Sequence, residues 1–472
     1  MTTKLEQFRE EVYRWFPYRS DALMELLDAL SSNTTAQSIV QLALNPLFQR
    51  QYCSIYDAID NLNPPATGEA DIDEAHEAFI RLLCPYLPAP QRGFWLIATD
   101  VTSNPRPYAR TLEDQGFVHQ PNPVKGVKPV SIGHQYSVLA VLPEKDGPTD
   151  PPWIAPLMVN RVQGKEAKRE TGLSQINQLM EDQTLSFKDD LCVSVVDSDY
   201  AAINYLGRVA DHSNLVTIAR LPGNRTVYRS PSTEAKSSGR GHPTWFGKPM
   251  PLQKPSEWDQ PDEVVETAFT TAKGKHFTAQ IEGWHDMLFR GKRDVPMHEH
   301  PFTLVRVRVF DEQGHLVFRR PMWLAVVGER RKELSLLDVY QSYLDRYDIE
   351  HFFRFGKQRL LMDAIQTPET VREENWWTLV LLAYFQLWLA RYEANDVPRP
   401  WERYLPRFKK EDRKPSVSSP SSVQRDFGRI IRQIGTPARD PKRRGNSRGR
   451  LKGQRIGGRT RHPVLKKGAM AA

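Results

Sequence analysis

The hydrophobic period of the chain changes at about residue 93, and this confines it to a mixed architecture. Before that point FREEVYRWF, SDALMELLDAL, SIVQLALN, CSIYDAIDNL and IDEAHEAFIRLLCPYL space their apolar residues at helical intervals, with SSNTTA and NPPATG as breakers. After it FWLIATD, YSVLAVLP and WIAPLMVNRV read as three successive strands. SQINQLMEDQTLSF then reads as a helix, LCVSVVDSD as a strand, AAINYLGRVA as a helix and LVTIARL as a strand. Three consecutive strands followed by alternating helices and strands predict an α/β fold on a mixed sheet with flanking helices. Strict doubly wound alternation fits less well.

Further along, VVETAFTTA, HFTAQIEGW and TLVRVRVF follow a Gly/Pro/Ser-rich start and predict a β-rich insertion bearing Arg and Lys. LVFRRPMWLAVVG leads out of it into one long helix from about Lys332 to Met362. NWWTLVLLAYFQLWLARYEA is apolar nearly all round and reads as a buried helix, and KPSVSSPSS reads as a linker. The expected divisions are therefore 1–88, an N-terminal helical domain; 89–221, the first part of a sheet domain; 222–315, the insertion; 316–368, the remainder of the sheet domain; 369–412, a C-terminal helical region; and 413–472, a linker and disordered basic tail. The N-terminal helices fit either a small DNA-reading domain or a cap with packing duties, since none stands out as a recognition helix.

Composition narrows the function class. Cys53, Cys84 and Cys192 are odd in number and widely spaced, which predicts neither a disulfide framework nor a zinc cluster. No run reaches about 18 apolar residues and the N-terminus lacks a signal-peptide core, so a soluble intracellular protein with no membrane partner is expected. From Arg425 onward there are 15 Lys or Arg against Asp426 and Asp440, an excess of +13 in a chain of net charge +8, which leaves −5 for everything before it. A basic tail of that kind attracts nucleic acid through a salt-sensitive, sequence-independent term, or serves only solubility.

Two aspartates stand where the sequence leaves an apolar strand: Asp100 in FWLIATD and Asp197 in CVSVVDSD. Strand ends of α/β sheets are where catalytic groups collect, although Asp is also an ordinary turn starter. Asp199 competes with Asp197, and Asp197 is preferred as the first carboxylate after the apolar run. In YLDRYDIEHFFRFGK, Tyr343, Arg346, Glu350 and Lys357 fall within roughly 60° of one another around a helix. Two strand-end aspartates and a helical glutamate can surround two divalent cations, and oxygen ligands favour Mg²⁺ or Mn²⁺. The same helix face could equally be a solvated surface. His298 and His300 form a close pair without a third ligand and read as an exposed turn.

These residues resemble a bacterial insertion-sequence transposase of the DDE class. The subgroup in question carries Tyr, two residues, Arg, three residues, Glu, six residues, Lys, which Tyr343, Arg346, Glu350 and Lys357 match at every position. ATDVTSNPR and VVDSDYAAINYL fit the contexts of its two aspartates, and the 153 residues from Asp197 to Glu350 leave room for its β insertion. The resemblance implies a ribonuclease H-like catalytic domain in which Asp100, Asp197 and Glu350 bind Mg²⁺, with Mn²⁺ as substitute. It implies that Tyr343, Arg346 and Lys357 contact DNA phosphates, and that Trp323 stacks on a base flipped out at the element end. The expected partners are double-stranded DNA, both terminal inverted repeats and target, and a second copy of the chain in a synaptic complex within a bacterial cytoplasm. A nuclease or resolvase of the same fold that cuts without joining, and a domesticated DNA-binding protein, are the alternatives.

Overall fold

The computed structural model describes residues 3–63, 69–120, 129–147, 150–163, 167–231, 245–271, 274–396, 404, 417–442 and 458–464. The chain opens with α1 (Lys4–Trp15), α2 (Ser20–Ser31), α3 (Cys53–Asp60) and α4 (Glu69–Leu83). It then runs through β1 (Trp95–Pro105), β2 (Gly116–His119), β3 (Val130–Val141), β4 (Ala155–Arg161), α5 (Ala167–Glu181), β5 (Cys192–Val196), α6 (Ile203–Val209) and β6 (Leu215–Leu221). Next come β7 (Thr226–Tyr228), β8 (Pro249–Pro251), β9 (Glu263–Thr270), β10 (His276–Met287), β11 (Phe302–Asp311) and β12 (Met322–Val327). The helices α7 (Leu336–Asp345), α8 (Tyr347–Arg359), α9 (Thr370–Leu389), α10 (Glu393–Asp396) and α11 (Pro420–Ile434) close the described chain.

The main sheet has the spatial order β2, β3, β1, β5, β6, β12, β11, β10, β9, with β4 also paired to β3. Only β1 with β5 and β5 with β6 run parallel; the other pairings are antiparallel. This is a mixed α/β arrangement of the ribonuclease H-like kind. The β-rich insertion is not a separate lobe, because β12 bonds to β6 on one side and β11 on the other. The insertion thus prolongs the same sheet.

The N-terminal helices share the sheet's core. A capping box at Thr3 and Glu6 starts α1, while α2 is buried from Ala22 to Ser31. It lies against α9, whose Gln386 amide donates to Leu27 O at 3.3 Å and whose Oε1 accepts from Arg9 at 3.2 Å. Arg9 is in turn paired with Asp28. No helix among the described residues is long and apolar enough to cross a membrane, and apolar α9 finds its partners in these helices and in β4.

Two sequence expectations need correction. The stretch expected as one helix from Lys332 to Met362 is a short 3-10 turn at Glu329–Glu333 followed by α7 and α8, which meet at Arg346. An i to i+3 bond from Ile349 N to Arg346 O at 3.2 Å tightens the junction. Lys145 grips it from outside, 2.9 Å from Asp345 and 2.8 Å from Asp348. The region expected as linker and disordered tail contains α11, which buries Val423, Phe427, Ile430 and Ile431. Its flanks are docked as well: Arg439 N donates to Asp21 at 2.9 Å, and His462 N to Arg110 O at 2.9 Å. Residues 413–416, 443–457 and 465–472 of that expectation lie outside the described residues.

Candidate active site

Asp100 does not end its strand. β1 continues to Pro105, paired antiparallel with β3 throughout. What ends near Asp100 is its parallel neighbour: β1 and β5 are in register from Trp95 opposite Cys192 to Ala98 opposite Val195, and β5 stops at Val196. Asp197 follows directly on the end of β5, and the register carried two residues further brings it toward Asp100, whose carboxyl feels its charge. Asp197 caps a 3-10 turn at Ser198–Tyr200, accepting from Asp199 N at 2.9 Å. Asp199 points away into an ion pair with Lys168 at 2.5 Å and is more than half exposed.

The helical residues close over this pair. Arg346 Nη1 donates to Asp100 Oδ2 at 3.0 Å, and Nη2 donates to Glu350 Oε1 at 3.0 Å. One guanidinium therefore stands between the two carboxylates. Burial pushes the Asp100 carboxyl above the usual aspartate range; Arg346 opposes this and the negative charge of Asp197 adds to it. Burial acts downward on Arg346, but Asp100, Tyr343 and Glu350 together hold its pKa above the ordinary value. Tyr343 lies under the guanidinium, 5.8 Å from ring centroid to Cζ, and burial raises its hydroxyl pKa. Lys357 donates to Ser103 O of β1 at 2.6 Å, and burial lowers its pKa. These two contacts fasten α8 along the second half of β1.

Lys168 was not anticipated. It stands at the start of α5, 3.9 Å from Asp197 and 2.5 Å from Asp199, and adds a second cation to the cluster. No local pattern in the sequence marks it, because 29 positions and a strand separate it from Asp197.

Trp323, expected to stack on a flipped base, is enclosed in this structure. It sits on β12 at 2 % exposure, edge-on to Trp258 with centroids 5.2 Å apart and tilted against Trp284 at 5.8 Å. The Arg306 guanidinium lies over all three indoles and pairs with Glu282. No face of Trp323 is open to a base in this arrangement. His298 lies in a turn as expected but is half-buried, stacked flat on Trp245 with centroids 4.4 Å apart. His351 lies edge-on to Tyr347.

Among the described residues no three His, Cys, Asp or Glu side chains gather closely enough to hold a metal ion. The donor set nonetheless suits a hard divalent cation: Asp100 and Asp197 are adjacent, and Glu350 lies on the far side of the Arg346 guanidinium.

A family model described as DDE superfamily endonuclease matches residues 11–289, more than half of the chain. The match includes Asp100 and Asp197 and ends before Trp323 and the helices that carry Tyr343, Arg346, Glu350 and Lys357. No curated protein matches the chain.

Proposed function

The chain belongs to the DDE superfamily endonucleases, and from that membership we propose that it is a DNA transposase, cutting at the terminal inverted repeats of a mobile element and joining the freed 3′ ends to target DNA. The observation that carries this reading is the convergence of Asp100, Arg346 and Glu350 through one guanidinium, beside Asp197 at the carboxyl end of parallel strands.

Asp100, Asp197 and Glu350 would hold Mg²⁺, or Mn²⁺ in its place, and such a cation supplies Lewis acidity to the reacting phosphate and its nucleophile. The chain's own residues orient the strand. Arg346 has a planar fork suited to two phosphate oxygens as well as to two carboxylates, so an incoming phosphate can take it over from Asp100 and Glu350. Tyr343 and Lys357 flank it on the same side of α7 and α8. In hydrolysis, water forms a bond to phosphorus as the bond to the 3′ oxygen breaks. The released 3′ hydroxyl then attacks a target phosphodiester, so one such bond forms as another breaks. Tyr343 serves as a contact and not as a nucleophile, consistent with the upward push of burial on its hydroxyl pKa. With Trp323 enclosed, nothing in this reading relies on a flipped base. In the synaptic complex two copies of the chain would each hold one element end.

The test is incubation of the purified protein with duplexes carrying the element's terminal repeats, a target plasmid and Mg²⁺. Nicking at the element boundary and joined products are expected. Cutting without joining would replace transposition by simple nuclease action. The role given to Arg346 has its own readout: without DNA, Arg346→Gln is expected to bind Mn²⁺ roughly tenfold more tightly or better, because a facing cation shifts an aspartate by about 1–3 pKa units. The same substitution should weaken DNA cleavage. Unchanged Mn²⁺ affinity by electron paramagnetic resonance titration would show that Arg346 does not guard the carboxylates.

A further inference from the structure

A groove of about 420 Å³ lies away from the carboxylates, between the end of α2 and α11. One wall is Ser32, Asn33, Thr34, Thr35 and the Leu44–Leu47 stretch; the other is Arg425, Gly428, Arg429 and Arg432 of α11. The three arginines follow i, i+4, i+7 spacing and share one face of the helix. The opposite face is buried through Val423, Phe427, Ile430 and Ile431, so packing fixes which way the arginines look. No Asp or Glu lines the groove, although Arg429 is ion-paired at 3.7 Å with Asp426 of the same helix.

Both walls are held in place. Asn33 Oδ1 accepts from Thr35 N at 3.2 Å and Ala36 N at 2.8 Å, and its amide donates to Arg359 O at 3.3 Å. Gln424 of α11 donates to the same Arg359 O at 3.1 Å. Asn45 reaches Ser32 Oγ at 3.0 Å. Arg359 ends α8, the helix that carries Glu350, so both walls are fastened to the helix of the candidate active site. Nine residues of helix from Glu350 to Arg359 span about 13.5 Å.

We infer that this groove binds the sugar-phosphate backbone of DNA beside the stretch acted on at the carboxylates. Arginine forks grip phosphate oxygens, the exposed Thr34 and Thr35 hydroxyls of the facing wall can donate to them, and such contacts set register without reading sequence. Leu44, 83 % exposed at the rim, offers an apolar surface to a sugar. The inference rests on the proposed action on DNA.

The experiment uses the full chain, with Arg425, Arg429 and Arg432 all replaced by Gln, and reads duplex affinity by fluorescence anisotropy across a series of salt concentrations. Each phosphate contact contributes about 0.9 to the slope of log K against log salt. The triple variant is expected to bind at least tenfold more weakly at low salt and to lose between about 2 and 3 from the slope, with unchanged Mn²⁺ affinity and melting temperature. Thr34→Asp with Thr35→Asp, on the facing exposed loop, should weaken binding in the same direction if altered packing of α11 is to be ruled out as the cause. Wild-type DNA binding with an unchanged slope in both variants would overturn the groove assignment and leave the transposase reading standing. Failure of the wild type to bind any duplex would overturn both, and preferential retention of single-stranded RNA would replace the assigned ligand.

Discussion

Glu350→Gln is expected to reduce cleavage and joining by roughly three orders of magnitude or more while leaving the protein folded. The size follows from the several kcal/mol of charge stabilisation that a carboxylate-held cation contributes, at about 1.36 kcal/mol per tenfold in rate. The fold should survive because the side chain is 39 % exposed and pairs with Arg346, from which a Gln oxygen can still accept. An exposed substitution of this kind ordinarily alters stability by no more than about 0.5 kcal/mol. Asp100→Asn tests the opposite wall and is less clean. That carboxylate is largely buried, so the change also leaves Arg346 short of counter-charge. The decisive comparison is therefore Glu350→Gln against wild type on the same terminal-repeat duplex, with melting curves alongside. Full activity in a folded variant would remove Glu350 from the site.

The position of Glu350 was legible because helical spacing is a local property. Tyr343, Arg346, Glu350 and Lys357 stay on one side even though the helix is divided at Arg346. The division itself was hidden, since no Gly or Pro marks it and the ties that enforce it come from Lys145, about 200 positions earlier. The end of the apolar run FWLIATD suggests that the strand stops at Asp100, whereas the polar VTSNP remains strand because β3 accompanies it after β5 has stopped. The apolar spacing that makes α11 amphipathic was present in SVQRDFGRIIRQI, but the surrounding Arg, Lys and Gly content of the tail outweighed it. Trp323 was placed by resemblance alone, and only the register of β12 against β11 and β6 reveals that its ring faces other indoles. Glu373 gave no signal at all: one acid near the start of an apolar helix, with its partners more than 230 positions away.

Glu373→Ala is expected to be the most destabilising of the substitutions considered, at about 3–5 kcal/mol, the usual loss when one member of a buried ion pair is removed. Glu373 is fully buried on α9 and accepts from Asn104 at 2.9 Å, Arg106 at 2.9 Å and Tyr136 at 2.8 Å, with His134 Nδ1 at 3.0 Å. Arg106, 3 % exposed, would be left with only the carbonyls of Ile365 and Thr367. Burial alone would raise the Glu373 pKa, but the hydrogen bond and charge of His134, with Arg106 and Tyr136, hold it below the ordinary 4.5. A carboxylate with a depressed folded-state pKa contributes stability that is complete above its unfolded value and is lost as pH falls through the folded one. Wild type should accordingly lose stability below about pH 4.5, and Glu373→Ala should lack that portion of the acid dependence. Urea unfolding followed by tryptophan fluorescence at a series of pH values reads both effects. The consequence reaches the active site along β1, because Asn104 lies four residues from Asp100 and Lys357 is bonded to Ser103 between them. Below its unfolding midpoint Glu373→Ala should bind Mn²⁺ more weakly than wild type, whereas an unaltered acid limb and unaltered midpoint would show that α9 is held to the sheet by its apolar face alone.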